Sequence, residues 1–218
     1  MAILSSPLGK IRGHIGSLSF YSNAQGDNLC RSSGYRRKRS NDRQQAWEGR
    51  FAAVAHAAPY LQEALLIGFP GNRDFPAGLK GFVKANIRTA TESLGEANSH
   101  KQFRLIFEQL KLSAGQLEVP KLQTTMDSDR SHLTLTHRAD LTEDFFRFCD
   151  DRIYAVAVSE DLSYAKPFSL GCRSQNGEQT IIVSPDTVNL LCPIHLYAFA
   201  TTADGKQASD TLYLGKWI

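Results

Sequence analysis

The sequence contains no apolar run long enough to cross a membrane. Its longest mainly apolar stretch, residues 52–67, is interrupted by His56, Pro59, Gln62 and Glu63, whereas a membrane-spanning helix needs about 20 consecutive apolar residues. The first residues also lack the basic start and the apolar core of a secretory signal peptide. We therefore expect a cytoplasmic protein that makes no membrane contact.

Cysteine is scarce and scattered. The sequence has four cysteines: Cys30, Cys149, Cys172 and Cys192. Without an export signal, we expect them to be small buried side chains rather than disulfide partners. Cys192 and His195 together supply only two of the four ligands that a zinc site needs. Because His195 lies between Ile194 and Leu196, we interpret it as a packed or partner-facing histidine. We predict no metal and no cofactor.

Motifs for catalysis or phosphate binding are also missing. The Gly-Phe-Pro-Gly segment at residues 68–71 lacks the Gly-Lys-Ser/Thr ending of a phosphate loop. No Gly-x-Ser-x-Gly elbow occurs, and Cys149 has no evident histidine and asparagine companions. The acidic residues between positions 140 and 151 lack the spacing of a calcium loop, which favours a solvated loop face. We therefore expect a non-enzymatic protein without a small-molecule substrate.

Charge is unevenly distributed along the chain. The formal net charge is +3, but the first 50 residues carry nine basic and three acidic side chains, so the remaining 168 residues have an acidic excess of three. The most basic segment consists of Arg36, Arg37, Lys38 and Arg39. Such a run can bind phosphates while a nearby tyrosine stacks on a base. It can equally be a solvated turn or a contact with an acidic protein surface.

The first 32 residues predict a β-hairpin after an extended lead-in. Residues 14–21 form the first predicted strand, in which Leu18 and Phe20 share one face and Tyr21 lies on the other. Residues 23–28 have turn composition, with Gly26 able to adopt a positive φ, and residues 29–32 return antiparallel. Because an isolated hairpin is marginally stable, it must pack against something.

Two helices are predicted next. Side-chain oxygens at residues 40–42 favour a helix start, and the spacing of Trp47, Phe51, Val54 and Ala58 gives one apolar stripe. Pro59 must end or kink this helix. A second helix is expected from near Pro76, fading by residue 95, and the polar residues 94–101 are the best candidate for a domain boundary.

After residue 100 the periodicity changes from about four residues to two. Residues 132–137 alternate cleanly, and further strands are indicated at residues 153–158, 168–173, 180–183, 194–201 and 211–215. About seven short strands without intervening helices are typical of an antiparallel sandwich. The sequence therefore predicts an α+β protein: a hairpin and helical region at residues 1–98, then an immunoglobulin-like or fibronectin-like β-sandwich at residues 99–218.

Several short motifs are distributed along the chain: Gly9-Lys10-Ile11-Arg12-Gly13-x-Ile15-Gly16, Arg31-Ser32, Gln45, Arg50-Phe51, Ile67-Gly68-Phe69, Lys111-Leu112-Ser113-x-Gly115-x-Leu117, Asp204-Gly205-Lys206, Ser209 and Tyr213-Leu214-Gly215. Together they resemble an uncharacterised family of Bacteroidota proteins, a domain of unknown function. The resemblance spans nearly the whole chain and implies the same hairpin, helical and sandwich order. It implies no reaction. Similar starts in phage-like or surface-assembly proteins favour a structural role.

We therefore expect a structural, assembly or protein-interaction protein that forms a homo-oligomer or binds another protein. The predicted contact is β-augmentation through the amino-terminal hairpin or its lead-in, with a virion or particle as a second possible location. The interaction residues are predicted to be Leu18, Phe20 and Tyr21 for packing, and Arg36, Arg37, Lys38 and Arg39 for charge. The alternative is a nucleic-acid-binding accessory protein that uses the same basic run.

Overall fold

The computed structural model divides the chain into two compact units, residues 1–44 and residues 45–218. It describes residues 2–4, 11–23, 25–32, 41–71, 77–97, 100–127, 132–182 and 192–217. The division does not fall at residues 98–99, where the sequence placed a boundary. The helices before residue 90 share a hydrophobic core with strands after residue 150, so they belong to the same unit.

The first unit contains a four-stranded antiparallel sheet. Its strands are β1 (Ala2–Leu4), β2 (Gly13–Ile15), β3 (Leu18–Ser22) and β4 (Asn28–Ser32), in the order β1-β4-β3-β2. The predicted hairpin is confirmed as β3 and β4. The predicted first strand, residues 14–21, is wrong in one respect, because a two-residue turn splits it. Gly16 begins that turn with φ of +58°, a region that favours glycine.

Three helices follow: α1 (Asp42–Ala57), α2 (Gln62–Gly68) and α3 (Gly78–Asn86). The break between α1 and α2 surrounds Pro59, as predicted, because proline has no amide hydrogen to continue the helix. The expected polar connection at residues 94–101 is instead part of a hairpin. Strands β5 (Thr91–Ala97) and β6 (His100–Leu105) pair antiparallel there, with a bulge between Ser93 and Gly95.

Two larger antiparallel sheets complete the second unit. One has the order β10-β9-β12-β13 and the other has the order β11-β8-β7. Their strands are β7 (Leu122–Met126), β8 (His132–His137), β9 (Arg152–Ser159), β10 (Ala165–Cys172), β11 (Gly177–Ile182), β12 (Ile194–Thr201) and β13 (Leu212–Trp217). The chain is therefore of the α+β class, with mainly antiparallel sheets.

The central strands β9 and β12 have both faces buried. In β9, Ile153 and Ala155 pack with Leu133 of β8 in one core, whereas Val156 packs with Phe82 of α3 in the other. Alternate side chains of a strand point to opposite faces of the sheet. Within the second unit, the β10-β9-β12-β13 sheet thus packs against the helices on one face and against the three-stranded sheet on the other.

Candidate interaction surfaces

The register of the amino-terminal sheet places four of its apolar side chains on one face. Ile15 lies opposite Leu18, and Phe20 lies opposite Cys30. Ile15 is 71% exposed and Leu18 is 40% exposed, while Phe20 and Cys30 are half-buried. We call these four residues the apolar sheet face. The structure therefore brings the predicted residues Leu18 and Phe20 together.

Tyr21 lies on the opposite face of the same sheet. The guanidinium of Arg31 stands over its ring, 5.7 Å from the ring centroid. On the same face, the Ser19 hydroxyl is hydrogen-bonded to Nδ1 of His14 at 2.9 Å. Leu29 lies opposite Tyr21 on this face as well. Because this is the other face of the sheet, Tyr21 does not extend the surface formed by Leu18 and Phe20. The remaining predicted residues, Arg36, Arg37, Lys38 and Arg39, lie outside the described part of the chain.

The second unit carries an apolar groove between α1 and α3. Trp47 and Phe51 of α1 are 46% and 49% exposed, and Leu79 of α3 is 52% exposed. Together with Val83 and Ile87 they line a cavity of about 700 Å³. The predicted stripe of α1 is thus only partly buried. Val54 and Ala58 enter the core, whereas Trp47 and Phe51 remain at the surface.

The rim of this α1–α3 groove is basic. Lys80, Lys84 and Arg88 follow at intervals of four residues along α3 and its end, which places them on one side of a helix. The Arg88 guanidinium lies 5.8 Å from the centroid of the Trp47 ring. The residues that line the groove include these three cations and no carboxylate. The groove therefore combines an apolar floor with positive charge.

A second exposed apolar surface lies in the loop at residues 140–151, which we call the Phe145 loop. Its four exposed apolar side chains are Leu141, Phe145, Phe146 and Phe148, and Phe145 is 88% exposed. Glu143, Asp144 and Asp150 are exposed beside them. From the sequence, only the carboxylates of this loop were expected to form an exposed surface. The Phe-Phe-Arg-Phe segment at residues 145–148 could have indicated an exposed apolar surface, because it is unusually aromatic for a solvated loop.

Arg173 holds the two ends of the Phe145 loop. Its carbonyl oxygen accepts a hydrogen bond from the amide of Asp140 at 2.9 Å, and its own amide donates to the carbonyl of Asp151 at 2.8 Å. Its Nε lies 3.3 Å from Oδ2 of Asp151, and Nη2 donates to the carbonyl of Glu118 at 2.7 Å. We call this arrangement the Arg173 clamp. It fixes the base of the loop.

Further contacts fix the tip of the loop. Asp144 and Arg147 exchange two backbone hydrogen bonds, at 2.9 and 3.2 Å. Arg147 also pairs with Glu118 at 3.0 Å, and the amide of Glu118 donates to the carbonyl of Phe146 at 2.7 Å. The predicted solvated loop is therefore a defined structure that presents Phe145 to solvent.

His195 is a packed residue, as the sequence indicated. Its side chain has no exposed surface, its ring stacks on Phe107 with centroids 4.8 Å apart, and Nδ1 is hydrogen-bonded to the Tyr213 hydroxyl at 3.0 Å. Burial lowers its pKa below the ordinary value of 6.5, although the carboxylates of Glu108 and Glu160 oppose this effect and Lys216 adds to it. His195 is therefore neutral in the folded protein at pH 7.

This burial predicts a loss of stability in acid. Below the ordinary histidine pKa the unfolded chain binds a proton at residue 195 that the folded chain resists, so acidification favours unfolding. We expect the free energy of unfolding to fall more steeply between pH 7 and pH 5 in the native chain than in His195→Gln. Urea unfolding followed by circular dichroism at each pH measures the difference. Parallel pH profiles for the two proteins would contradict the prediction.

The structure also bears on the cysteines, on metal binding and on membrane-spanning helices. All four cysteines are free thiols and half-buried rather than fully buried, so the expectation of buried cysteines is wrong in degree. Across the described ranges, no group of three or more His, Cys, Asp or Glu side chains is placed to hold a metal ion. Of the helices that the structure describes, none has the length and apolar character needed to span a membrane.

No protein-family model matches the chain, and no curated protein matches it significantly. The apolar sheet face, the α1–α3 groove and the Phe145 loop are the exposed features of the described residues that suggest a role.

Proposed function

We propose that this chain is a non-enzymatic structural or assembly protein that associates with further copies of itself through its amino-terminal sheet. One observation carries the proposal. Among the described side chains of this sheet the buried ones are Ser19 and Asn28, and no apolar side chain is buried. A small sheet needs a covered apolar face to be stable. A second copy that covers Ile15 and Leu18 supplies that burial.

The sheet order also indicates where a partner strand would add. Strands β3 and β4 are interior, and the outer edges are β1 and β2, of three residues each. The β3–β4 pair therefore has no unpaired edge, and β-augmentation through the predicted hairpin or its lead-in would use β1 or β2. We propose β2 as the edge that pairs with another copy, because Gly13, His14 and Ile15 are all exposed and unpaired edge strands are templates for pairing.

For strands β7 to β13 of the second unit we propose a fibronectin type III arrangement within the immunoglobulin-like class. Its support is the order of pairing. If β7, β8, β9, β10, β11, β12 and β13 are lettered A, B, C, C′, E, F and G, the two sheets read A-B-E and C′-C-F-G. The shared core between the sheets also supports a sandwich. Such domains are common binding modules, which suits an assembly role by analogy of fold alone.

The apolar sheet face can be tested with a double substitution. We expect Ile15→Asp with Leu18→Asp to weaken self-association by about 100-fold or more, because each fully buried aliphatic side chain contributes about 1.5–3 kcal/mol and about 1.4 kcal/mol is a factor of ten. Native mass measured by light scattering over a range of concentrations gives the effect. Gln25→Asp, at an exposed turn of the same sheet, is a control for the effect of one added negative charge.

Two results bear directly on this proposal. A lower native mass for the double variant, with an unchanged mass for Gln25→Asp, supports it. An unchanged mass for the double variant contradicts it, provided that circular dichroism shows that the variant is folded.

The alternative of nucleic-acid binding through Arg36, Arg37, Lys38 and Arg39 predicts salt-sensitive binding of an oligonucleotide. Gel-shift titration of the native chain at several salt concentrations measures this binding.

A further inference from the structure

We propose that the Phe145 loop of one copy binds in the α1–α3 groove of a second copy. The contact deepens the proposed self-association and rests on it, but it uses different residues from the apolar sheet face. The contact would be heterologous, because the loop of one copy meets a different surface, the groove, of the next copy. Such a contact can build a ring or a filament.

The two surfaces match in apolar character. The loop presents Phe145 at 88% exposure, with Leu141 and Phe146 beside it, and the groove exposes Trp47 and Phe51. Monomeric soluble proteins rarely expose such clusters of large apolar side chains. Aromatic anchors that enter an apolar pocket are the usual centre of a protein interface. The groove volume of about 700 Å³ accommodates a phenylalanine side chain.

The two surfaces also match in charge, which identifies the occupant as a second copy. The groove has a rim of Lys80, Lys84 and Arg88. The loop carries Glu143 and Asp150 as exposed carboxylates that the cation of Arg147 does not neutralise, because Arg147 is paired with Glu118 and Asp140. A negative apolar loop and a positive apolar groove on the same chain are complementary when two copies meet.

The loop is already in a defined conformation before it meets a partner. The Arg173 clamp fixes its base, and the paired backbone hydrogen bonds between Asp144 and Arg147 fix its tip. Association through a preorganised loop avoids most of the entropy loss that a flexible loop would suffer. The Phe145 side chain is therefore available for binding without a change in the fold.

Charge reversal on each surface tests the contact. One variant carries Glu143→Lys and Asp150→Lys in the loop, and the other carries Lys80→Glu and Lys84→Glu on the groove rim. We expect each variant alone to associate at least tenfold more weakly than the native chain, because like charges then face each other. An equimolar mixture should recover association, because the positive loop of the first variant meets the negative groove of the second.

Apolar contact is tested separately with Phe145→Ser. We expect this substitution to weaken association at least tenfold, and Leu94→Ser, at an exposed position in β5 outside both surfaces, to leave it unchanged. Sedimentation velocity of the full-length chain over a range of concentrations measures the affinities. Circular dichroism and thermal melting of each variant show that it retains the native fold.

The outcomes separate this contact from the proposed role of the amino-terminal sheet. Recovery of association in the mixture supports the contact. Weakening by the groove variant without weakening by the loop variants overturns it in favour of another occupant of the groove. Loss of association in the Ile15 and Leu18 variant, with native association in all loop and groove variants, overturns this contact and leaves the proposed function intact. A native chain that is monomeric at every concentration overturns both.

Discussion

Replacing Arg173 with alanine should lower the free energy of unfolding by about 3–5 kcal/mol, the range observed when one partner of a buried ion pair is removed. The Arg173 side chain is 2% exposed and that of Asp151 has no exposed surface. Without the guanidinium, the Asp151 carboxylate would remain in the protein interior without its cation. The carbonyl of Glu118 would also lose the hydrogen bond that Arg173 donates at 2.7 Å.

Urea unfolding followed by circular dichroism measures this loss. Arg138→Ala, which truncates an exposed arginine on the same segment of the molecule, should change the free energy of unfolding by less than about 0.5 kcal/mol. Arg173→Met combined with Asp151→Leu should recover much of the stability, because an apolar pair leaves no buried charge. A loss below about 1 kcal/mol for Arg173→Ala would contradict a buried ion pair.

The same variant has a predicted pH dependence. Burial raises the pKa of Asp151, while the amide of Phe148 and the guanidinium of Arg173 act in the opposite direction. With Arg173 removed, the pKa of Asp151 rises further, so the folded protein takes up a proton more readily than the unfolded chain. The deficit in stability of Arg173→Ala should therefore shrink as the pH falls from 7 towards 4.

A second large effect is expected for Gly115→Ala. A Cβ atom at this position would lie 1.8 Å from the backbone carbonyl oxygen of Ala208. That oxygen also accepts the amide of Leu117 at 3.2 Å, so it cannot move away without loss of a hydrogen bond. We expect the free energy of unfolding to fall by about 3 kcal/mol, at the upper end of the usual cost of overpacking.

The control for Gly115→Ala is another glycine in open space. Gly205 has φ of +68°, and no neighbouring atom lies within 4 Å of the position that a Cβ atom would occupy. Gly205→Ala should therefore lower the free energy of unfolding only by the backbone strain, about 1–2 kcal/mol. Ala208→Gly should not rescue Gly115→Ala, because the obstacle is a backbone oxygen. Thermal melting of the native chain, of Gly115→Ala, of Gly205→Ala and of Gly115→Ala combined with Ala208→Gly tests this order of stability. A rescue by Ala208→Gly would contradict the assignment of the clash to the backbone oxygen.

The features that could be predicted from the sequence are those with strong local causes. The β3–β4 hairpin follows from alternation around Leu18 and Phe20 and from the turn composition near Gly26. The helix break at Pro59 follows from proline chemistry. The hairpin between β12 and β13 follows from the turn at residues 203–206, where Gly205 adopts its positive φ. Each of these requires only a few neighbouring residues.

The features that could not be predicted depend on distant parts of the chain. The spacing of Trp47, Phe51 and Val54 shows that they share a side of α1, but not which of them the strands of the second unit will cover. Only Val54 is covered. Likewise, the carboxylate of Asp151 looked like one more solvated charge, because its partner Arg173 is 22 residues away in the sequence.

The strand β5 was missed for a different reason. Residues 94–101 are polar and include Gly95, both typical of a loop. Residues 94–97 are nevertheless part of β5 and lie beside β6, because backbone hydrogen bonds do not require apolar side chains on both faces. The resulting ribbon has Leu94 exposed, so the alternation that reveals a half-buried strand is absent.

The Arg173 clamp also affects how the association and dissociation rates of the proposed contact depend on salt concentration. Because the Phe145 loop is held in one conformation, two copies need no folding step before they dock, and the association rate is governed by diffusion and by attraction between the acidic loop and the basic groove. Added salt screens that attraction at a distance. It should therefore slow association strongly while it leaves the dissociation rate, which depends on the seated aromatic side chains, nearly unchanged.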